Sequence, residues 1–266
     1  MSELEIRNLN KTFRISKKAS ITALDNISIN VGSGEFAVLV GPSGCGKSTL
    51  LNIVAGLDTC DPGGEVLLDG KQIKGPGADR GMVFQSYTLF PWLSVRKNIE
   101  FGPSLRKVSE PERRAVAEKF IKETGLTGFE DMLPGGLSGG MKQRVAIART
   151  LANSPKMLLM DEPFGALDAQ TRAVMQEMLS KVWQKERTTV LFVTHDIDEA
   201  ILMGTKIYVM SRRPGRIKQM IPVNISGERG HKVTLSPDFL AIKQQIMDLI
   251  WEESEQASME VNGDGI

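Results

Sequence analysis

The sequence predicts an α/β fold in which a largely parallel sheet is covered by helices and interrupted by a helical insert. Three observations predict it. The apolar run Phe36–Val40 leads into a glycine-rich loop and a helix. Short apolar strands alternate with helical patterns from Lys156 to Met210. Between these two regions, the stretch from Pro91 to Thr150 has a mostly helical pattern.

Composition restricts the class of protein. The chain has 266 residues, 41% of them hydrophobic and 24% charged, which suits one large globular domain or a core with a sizeable insert. A net charge of +1 gives no electrostatic reason to expect a nucleic-acid partner. The two cysteines, Cys45 and Cys60, are too few for a disulfide framework and suit a reducing cytosol. We expect no secretory signal, because Met1–Asn10 carries Glu3 and Glu5 and has no long apolar stretch. We expect no membrane span, because no window approaches roughly 18 apolar residues.

The first half of the chain contains short strands. Alternating apolar residues predict strands over Glu3–Leu9 and Ile27–Val31, separated by a basic loop through Lys17 and Lys18. After the strand Phe36–Val40, a buried helix is predicted to stop at Gly56. Two further strands are predicted, Glu65–Leu68 and Gly81–Phe84, and the second ends at Gln85.

The glycine-rich loop after Val40 matches the pattern G-x-x-x-x-G-K-[ST]. Its residues are Gly41, Pro42, Ser43, Gly44, Cys45, Gly46, Lys47, Ser48 and Thr49. In this strand–loop–helix context, backbone N–H groups and the helix N-terminus converge on phosphate oxygens. We expect Lys47 to reach the β- and γ-phosphates and Ser48 to bind Mg²⁺. The alternative is a flexible turn with a surface lysine.

The predicted insert contains a helix that starts at Ser109-Glu110-Pro111-Glu112, a capping-box pattern. A second helix follows Leu137, and it begins with Ser138, Gly139 and Gly140. A serine and two glycines at a helix N-terminus form a second potential anion site. One nucleotide uses both sites most simply if two copies of the chain face each other about a two-fold axis. An equally acceptable alternative is a loop that only caps its helix.

A carboxylate pair follows the next buried strand. The run Met157–Met160 ends in Asp161 and Glu162. Asp161 is placed to hold Mg²⁺ through water, and Glu162 to orient or deprotonate the attacking water. The alternative is an ordinary helix N-cap, but the presence of a phosphate loop in the same chain favours the functional interpretation.

The remaining elements complete the α/β pattern. They are a helix over Asp168–Lys185 with Val174, Met178 and Val182 facing the core, a strand over Val190–Val193, a helix over Asp196–Met203, a strand over Ile207–Met210, and a last helix from Ser236-Pro237. That helix places Phe239, Ile242, Ile246, Leu249 and Ile250 on one side. The acidic, polar tail from Glu252 is predicted to be disordered.

These motifs together resemble the ATP-binding cassette of ABC transporters over roughly Leu4 to Met220. They occur in the family's order: Walker A at Gly41–Thr49, the Q-loop Gln85, the signature at Leu137–Met141, Walker B at Met157–Glu162, the D-loop Ala166-Leu167-Asp168, and the H-loop His195. The resemblance implies a P-loop NTPase with a RecA-like core, a β subdomain and an inserted α-helical subdomain. It implies a cassette over residues 1–225, with its core at 1–88 and 153–225 and its insert at about 89–152, followed by a C-terminal helix and tail over 226–266.

The resemblance also implies roles for single residues. Phe13 would stack on adenine, although a core phenylalanine is a fair alternative. Gln85 would sense Mg²⁺ and the attacking water, and His195 would contact the γ-phosphate; the alternative is a structural histidine. Asp168 would shape the dimer interface. The cofactors implied are ATP and Mg²⁺.

The signature ends in Met141, where the family usually has glutamine. This residue, Phe90-Pro91-Trp92 and the stretch Ser211–Ile217 resemble the importer ATPases for nitrate, sulfonates and taurine. The segment Tyr87–Asn98 lies where that family's membrane subunit docks. Trp92 is equally explained as a docking anchor or as a packing residue within the insert.

The implied function is therefore ATP hydrolysis that drives uptake of a small anionic solute by closure of a cassette dimer. The implied partners are a second ATPase subunit, in a homodimer, an integral membrane permease and, indirectly, a solute-binding protein, with no nucleic acid. The implied location is peripheral, on the cytoplasmic face of the inner membrane. The alternatives are an importer of another solute class, a cassette without a transport role, and an unrelated P-loop enzyme such as a kinase.

Overall fold

The computed structural model of the chain describes residues 3–16, 19–225 and 230–263. The strands are β1 Leu4–Arg14, β2 Ser20–Val31, β3 Phe36–Val40, β4 Glu65–Leu68, β5 Lys71–Gln72, β6 Arg80–Val83, β7 Met157–Asp161, β8 Thr189–Thr194, β9 Lys206–Met210 and β10 Ile217–Pro222. The helices are α1 Lys47–Ala55, α2 Val95–Leu105, α3 Glu110–Glu123, α4 Gly139–Leu151, α5 Ala169–Glu186, α6 Ile197–Met203 and α7 Pro237–Gly263. The predicted basic loop at Lys17 and Lys18 lies outside the described residues.

The N-terminal elements form a separate antiparallel sheet with the order β2-β1-β4-β5. β1 and β2 make a long hairpin in which Leu4 pairs with Val31 and Phe13 with Ile21. Both strands are longer than the alternation in the sequence predicts. The outer half of the hairpin is largely exposed, so its residues lack the apolar alternation that identifies a half-buried strand.

The second sheet has the order β10-β9-β3-β8-β7-β6. Its pairs are parallel, apart from the antiparallel pair of β10 with β9. Every residue of β3 and of β8 is buried, as expected for central strands covered on both faces. Because parallel strands share one carboxyl edge, the loops after β3, β7 and β8 meet there. The predicted α/β class with a largely parallel sheet is confirmed.

Helices α2, α3 and α4 pack against one another beside this sheet. Ser109 precedes α3, but its hydroxyl donates to the Glu112 carboxylate at 2.7 Å and accepts no helix N–H. The prediction of a capping box is therefore wrong, because the Ser109 side chain does not cap a backbone N–H of the helix. Pro111 in the first turn has no N–H, so one of the donors that a capping side chain would satisfy is missing.

The structure differs from the sequence prediction on α5. Val182 is buried and Met178 packs partly buried against the core, as predicted, whereas Val174 is 46% exposed. The buried face also includes Met175, Leu179 and Trp183, which were not predicted. The Trp183 ring packs edge-on against Phe36, with ring centroids 5.6 Å apart. Since the indole is the largest apolar group of the helix, its burial sets the rotation of α5 on the sheet.

The C-terminal helix α7 buries Phe239 and Ile246, as predicted. It continues to Gly263, whereas the sequence predicts disorder from Glu252. The segment after Trp251 is rich in glutamate, which favours helix once a packed helix precedes it. Within the described residues, none of the helices combines the length and apolar character that crossing a bilayer requires.

Buried Glu199 makes stability depend on pH. This α6 residue is 4% exposed, and it accepts a hydrogen bond from Gln176 at 3.0 Å. Burial raises the pKa of the Glu199 carboxyl, and nearby Asp196 raises it further. The folded state therefore holds its proton to higher pH than the unfolded state does. Stability is lost as the pH rises from the ordinary glutamate pKa through the folded-state pKa.

We predict that Glu199→Gln becomes increasingly stable relative to the unsubstituted protein as pH rises through that window. The amide keeps an oxygen for Gln176 and removes the buried charge. Urea unfolding at several pH values measures the difference, and Glu177→Gln, which neutralises an exposed carboxylate on α5, is the control. A stability difference that is the same at every pH would contradict the prediction.

Candidate functional site

An open cleft of about 320 Å³ lies at the carboxyl edge of the large sheet. It is lined by residues of the β1–β2 hairpin, the glycine-rich loop, the end of β7 and the β9–β10 turn. These residues are Phe13, Ile15, Ile21, Ala23, Ser43, Gly44, Gly46, Lys47, Ser48, Thr49, Glu162 and Arg213. The cleft therefore joins both sheets around the predicted phosphate loop.

The phosphate loop has a backbone shape that requires glycine. Gly46 precedes α1 with a φ of 105°, and a Cβ there would lie 2.6 Å from the Leu24 side chain. Lys47 is only 5% exposed, and its ammonium donates to the carbonyls of Gly41 at 2.8 Å and Pro42 at 2.9 Å. The alternative of a surface lysine on a flexible turn is wrong, because the chain buries this charge inside its own loop.

Ser48 and Asp161 are in hydrogen-bond contact, although 113 residues separate them in the sequence. The Ser48 hydroxyl donates to Asp161 Oδ1 at 2.9 Å. Burial raises the pKa of the Asp161 carboxyl, and the hydrogen bond from Ser48 opposes that shift. A hydroxyl and a carboxylate side by side are the hard oxygen donors that Mg²⁺ prefers. The donor set therefore fits the predicted metal.

Glu162 and His195 form a second pair beside the cleft. His195 Nδ1 lies 3.0 Å from Glu162 Oε2. The backbone N–H of Glu162 donates to Val193 at 2.9 Å, which ties the end of β7 to β8. Glu162 has a φ of 42°, a left-handed conformation that costs a non-glycine residue about 1 kcal/mol or more. Glu162 is also one of the residues that line the cleft.

Gln85 follows β6, and its side chain lies near Gly165, as the Glu162 carboxylate does. A Cβ placed on Gly165 would lie 3.7 Å from Glu162 Oε2 and 3.8 Å from Gln85 Nε2. The structure thus brings Gln85, Glu162 and His195 to one place at the sheet edge. These are the three residues predicted to be catalytic.

Phe13 lies near the end of β1 and lines the cleft with 41% of its surface exposed. The ammonium of Lys11 lies 4.9 Å from its ring centroid. A core phenylalanine would be buried, so that alternative is wrong. The ring offers an exposed aromatic surface beside the phosphate loop.

Ser138 and Asp168 both cap helices. Ser138 accepts from the N–H of Met141 at 3.3 Å at the start of α4, and Asp168 accepts from Thr171 at 2.9 Å at the start of α5. Hydrogen bonds from the Thr171 hydroxyl and from its N–H lower the pKa of the Asp168 carboxyl. Gly140 packs tightly, since a Cβ there would lie 2.6 Å from the Thr171 methyl group.

The segment Ser138–Gly140 is not among the described residues that line the cleft. In one copy of the chain, the second predicted anion site therefore does not contribute to the walls around the phosphate loop. Arg213 does line the cleft, although sequence reasoning did not assign it to the site. The only signal was its position in the unusual stretch Ser211–Ile217, whose role no local pattern indicates.

Comparison with known proteins agrees with these motifs. The family model described as ABC transporter matches residues 24–165, more than half of the chain. The nitrate import ATP-binding protein NrtD of Synechocystis is 47% identical over 93% of this chain and 94% of its own length. The taurine import ATP-binding protein TauB of Escherichia coli is 44% identical over 89% of this chain and 94% of its own length.

A solved structure shows the same similarity in three dimensions. It is a dimeric ATP-binding cassette in a post-hydrolysis state, bound to ADP and Pi. That structure is 36% identical to the chain, covers 83% of it and 99% of its own chain, and superposes with a TM-score of 0.72. The two folds therefore agree over nearly the whole of that cassette.

Proposed function

The chain belongs to the ABC transporter family of ATP-binding cassettes, and from this premise we propose that it is the ATP-hydrolysing subunit of an importer for a small anionic solute. The observation that carries the proposal is the cleft in which Lys47, the Ser48–Asp161 pair and the Glu162–His195 pair surround one phosphate-binding loop. ATP is the substrate that such an arrangement would hydrolyse. The relatives named for nitrate and taurine import support the solute class.

The proposed chemistry uses the observed contacts. The N–H groups of Gly41–Thr49 and the start of α1 bind the phosphate chain, and Lys47 moves from its loop carbonyls to phosphate oxygens. Glu162 accepts the proton of the attacking water, and Gln85 orients that water. His195, within 3.0 Å of Glu162, holds the carboxylate in position and contacts the γ-phosphate. Phe13 stacks on adenine.

Ser48 and Asp161 would hold Mg²⁺, directly through the hydroxyl and through water from the carboxylate, with Gln85 as a further ligand. When bound, the metal neutralises charge that develops on the phosphate oxygens. The Ser48 hydroxyl donates to Asp161 at 2.9 Å, which places the two proposed ligands side by side.

A closed dimer completes the site in this proposal. The Ser138–Gly140 segment is not among the described residues that line the cleft of its own copy. In the proposed dimer, the N-terminus of α4 in one copy binds the γ-phosphate of the nucleotide held by the other copy. ATP bound between two copies favours closure because it contacts both of them. Hydrolysis removes that differential affinity, and the dimer reopens.

The division into a core at 1–88 and 153–225 with an insert at about 89–152 is part of the proposal, with 226–266 as a C-terminal extension. The insert would present Trp92 to a membrane permease on the cytoplasmic face of the inner membrane, with a solute-binding protein on the other side. Trp92 is 72% exposed, with its ring 5.8 Å from that of Phe90, which supports a docking anchor over a packing residue.

The test measures uptake and membrane association in cells that lack the chromosomal copy of the chain. We expect the unsubstituted protein to restore uptake of nitrate, taurine or an alkanesulfonate, and Lys47→Ala to restore none. Trp92→Ala should lower the fraction of tagged protein recovered with an integral membrane partner by about tenfold, the usual effect of losing one hot-spot aromatic.

Trp251→Ala is the matched control, since Trp251 on α7 is also an exposed tryptophan, at 66%. Equal membrane recovery of all three proteins would argue against docking through Trp92. Normal uptake of all three solutes without the chain would reject the proposed solute class. In that case, a cassette for another solute or without a transport role would be favoured.

A further inference from the structure

The turn between β9 and β10, residues Ser211–Ile217, is fixed firmly to the β2 strand. The Gly215 N–H donates to Ala23 at 2.9 Å, and the Gly215 carbonyl accepts from the N–H of Asp25 at 2.9 Å. The Arg216 guanidinium donates through Nε to the Asp25 carboxylate at 2.8 Å. This turn is therefore built as part of the wall that carries Phe13.

The turn is also cross-linked within itself. The Ser211 N–H donates to the Arg216 carbonyl at 2.9 Å, and the Ser211 hydroxyl accepts from the Arg216 N–H at 2.9 Å. The same hydroxyl lies 3.0 Å from the Pro214 carbonyl oxygen. These bonds fix both ends of the segment that carries Arg213, so its backbone is held in place before any ligand binds.

The turn touches the phosphate loop directly. A Cβ on Gly215 would lie 2.1 Å from the carbonyl oxygen of Cys45, so only glycine permits this approach. Arg213 donates to the Gly44 carbonyl through Nε at 3.2 Å and through Nη2 at 3.1 Å. Its guanidinium thus lies against the loop that would hold the phosphate chain.

The geometry of the guanidinium leaves capacity for a second acceptor. The bonds to Gly44 use two of its five N–H donors, and Nη1 takes no part in them. The group is always charged, and its planar fork matches phosphate oxygens. Lys47 donates to the carbonyls of Gly41 and Pro42, so both cations lie against the phosphate loop.

We propose that Arg213 is a further nucleotide-binding residue, which holds Gly44 with one edge and contacts a phosphate oxygen of the nucleotide with the other. This inference rests on the proposed assignment of the cleft to ATP. The Arg213 guanidinium would be a second positively charged group beside the phosphates, and it lies outside the six motifs named above. The turn Ser211–Ile217 then acts as a second phosphate-contacting segment of the same site.

The test compares Arg213→Ala, Arg213→Lys and Arg212→Ala in the full chain. Dissociation constants are measured for ATP and ADP directly, and for adenosine by competition with a fluorescent ATP analogue. We expect Arg213→Ala to weaken ATP and ADP binding about tenfold, as loss of a charge-assisted hydrogen bond does, and to leave adenosine binding unchanged. The ATP affinity of Arg213→Lys should lie between those of Arg213→Ala and the unsubstituted protein, because lysine keeps the charge but lacks the planar fork of N–H donors.

Arg212→Ala removes the same charge from the neighbouring residue, which is not among the described residues that line the cleft, and should bind ATP normally. In steady-state assays, Arg213→Ala should raise KM more than it lowers kcat. Its unfolding midpoint without nucleotide should fall only slightly, because the two bonds to Gly44 that it loses are exposed to solvent. The increase in midpoint caused by ATP should shrink.

Three results would overturn the inference: unchanged ATP affinity in Arg213→Ala, an equal loss in Arg212→Ala, or a loss explained by a lower midpoint without nucleotide. Failure of the unsubstituted protein to bind ATP would instead reject the proposed function. The two failures are therefore distinguishable.

Discussion

Glu162→Gln is expected to lower ATP hydrolysis by about 10²- to 10⁴-fold, the usual contribution of a general base. The amide has almost the same size as the carboxylate and can keep a hydrogen bond to His195, which lies 3.0 Å away. It cannot accept the proton of the attacking water. ATP should therefore bind and remain intact, and the closed dimer should accumulate.

Two measurements check this prediction. Phosphate release gives the turnover, and light scattering on a sizing column gives the mass with and without ATP. Glu177→Gln is the control, because it removes an exposed carboxylate from α5, where Glu177 pairs with Lys181 at 2.6 Å. A Glu162→Gln protein that hydrolyses ATP at the original rate would remove Glu162 from the base role. One that stays monomeric in saturating ATP would argue against ATP-driven closure.

The second large effect is expected from Ser138→Asp. Aspartate caps helices as well as serine does, so α4 should remain folded. Its carboxylate would face the γ-phosphate of the partner copy, and repulsion between these charges should abolish the ATP-dependent dimer and reduce hydrolysis at least 100-fold. Binding of ATP to the isolated chain should change little, since the Ser138–Gly140 segment is not among the described residues that line its own cleft.

Ser138→Ala separates the cap from the charge. It loses the bond from Met141 and about 1 kcal/mol of stability, without adding repulsion.

Mixing Ser138→Asp with Lys47→Ala gives a sharper test. Each variant alone lacks both functional sites, whereas a mixed dimer keeps one site with an intact phosphate loop and an intact Ser138. If half of the dimers are mixed, and each mixed dimer has one working site out of two, a quarter of all sites are functional. About a quarter of the activity of the unsubstituted protein is then expected, provided that the two sites of a dimer work independently.

Absence of recovery in the mixture, together with normal dimerisation of Ser138→Asp in ATP, would place Ser138 outside the partner's site. In that case, the helix cap observed in one chain would be its whole role. That alternative was equally acceptable on the sequence alone, and the bond from Met141 shows only that Ser138 does cap α4.

Much of the fold is predictable because its signals are local. The segment Phe36–Ala55 contains a buried strand, a loop that needs glycine at Gly46, and a buried helix, all contiguous in the sequence. The carboxylates of Asp161 and Glu162 end a strand whose apolar run is equally visible. Such segments specify their own structure through periodicity and backbone preference.

Other elements lack a local signal. β10 was not predicted because it is an edge strand with Lys218, Gln219 and Pro222 at positions that need little burial. The rotation of α5 depends on where Trp183 fits against Phe36, which is a property of the packed pair. Helix α7 continues past Trp251 because a packed helix precedes its polar end.

The sequence by itself determined that this chain has a phosphate loop, a carboxylate pair after a strand and a glycine-rich helix start, since each motif is contiguous. Only the tertiary structure decided which of them meet. Ser48 reaches Asp161 across 113 residues, and Arg213 reaches Gly44 across 169. The physical reason is that strand order comes from the packing of the whole sheet. Local periodicity is compatible with many orders. The observed order places β8 between β3 and β7 and β9 beside β3, so the loops after these strands come close to one another at the carboxyl edge.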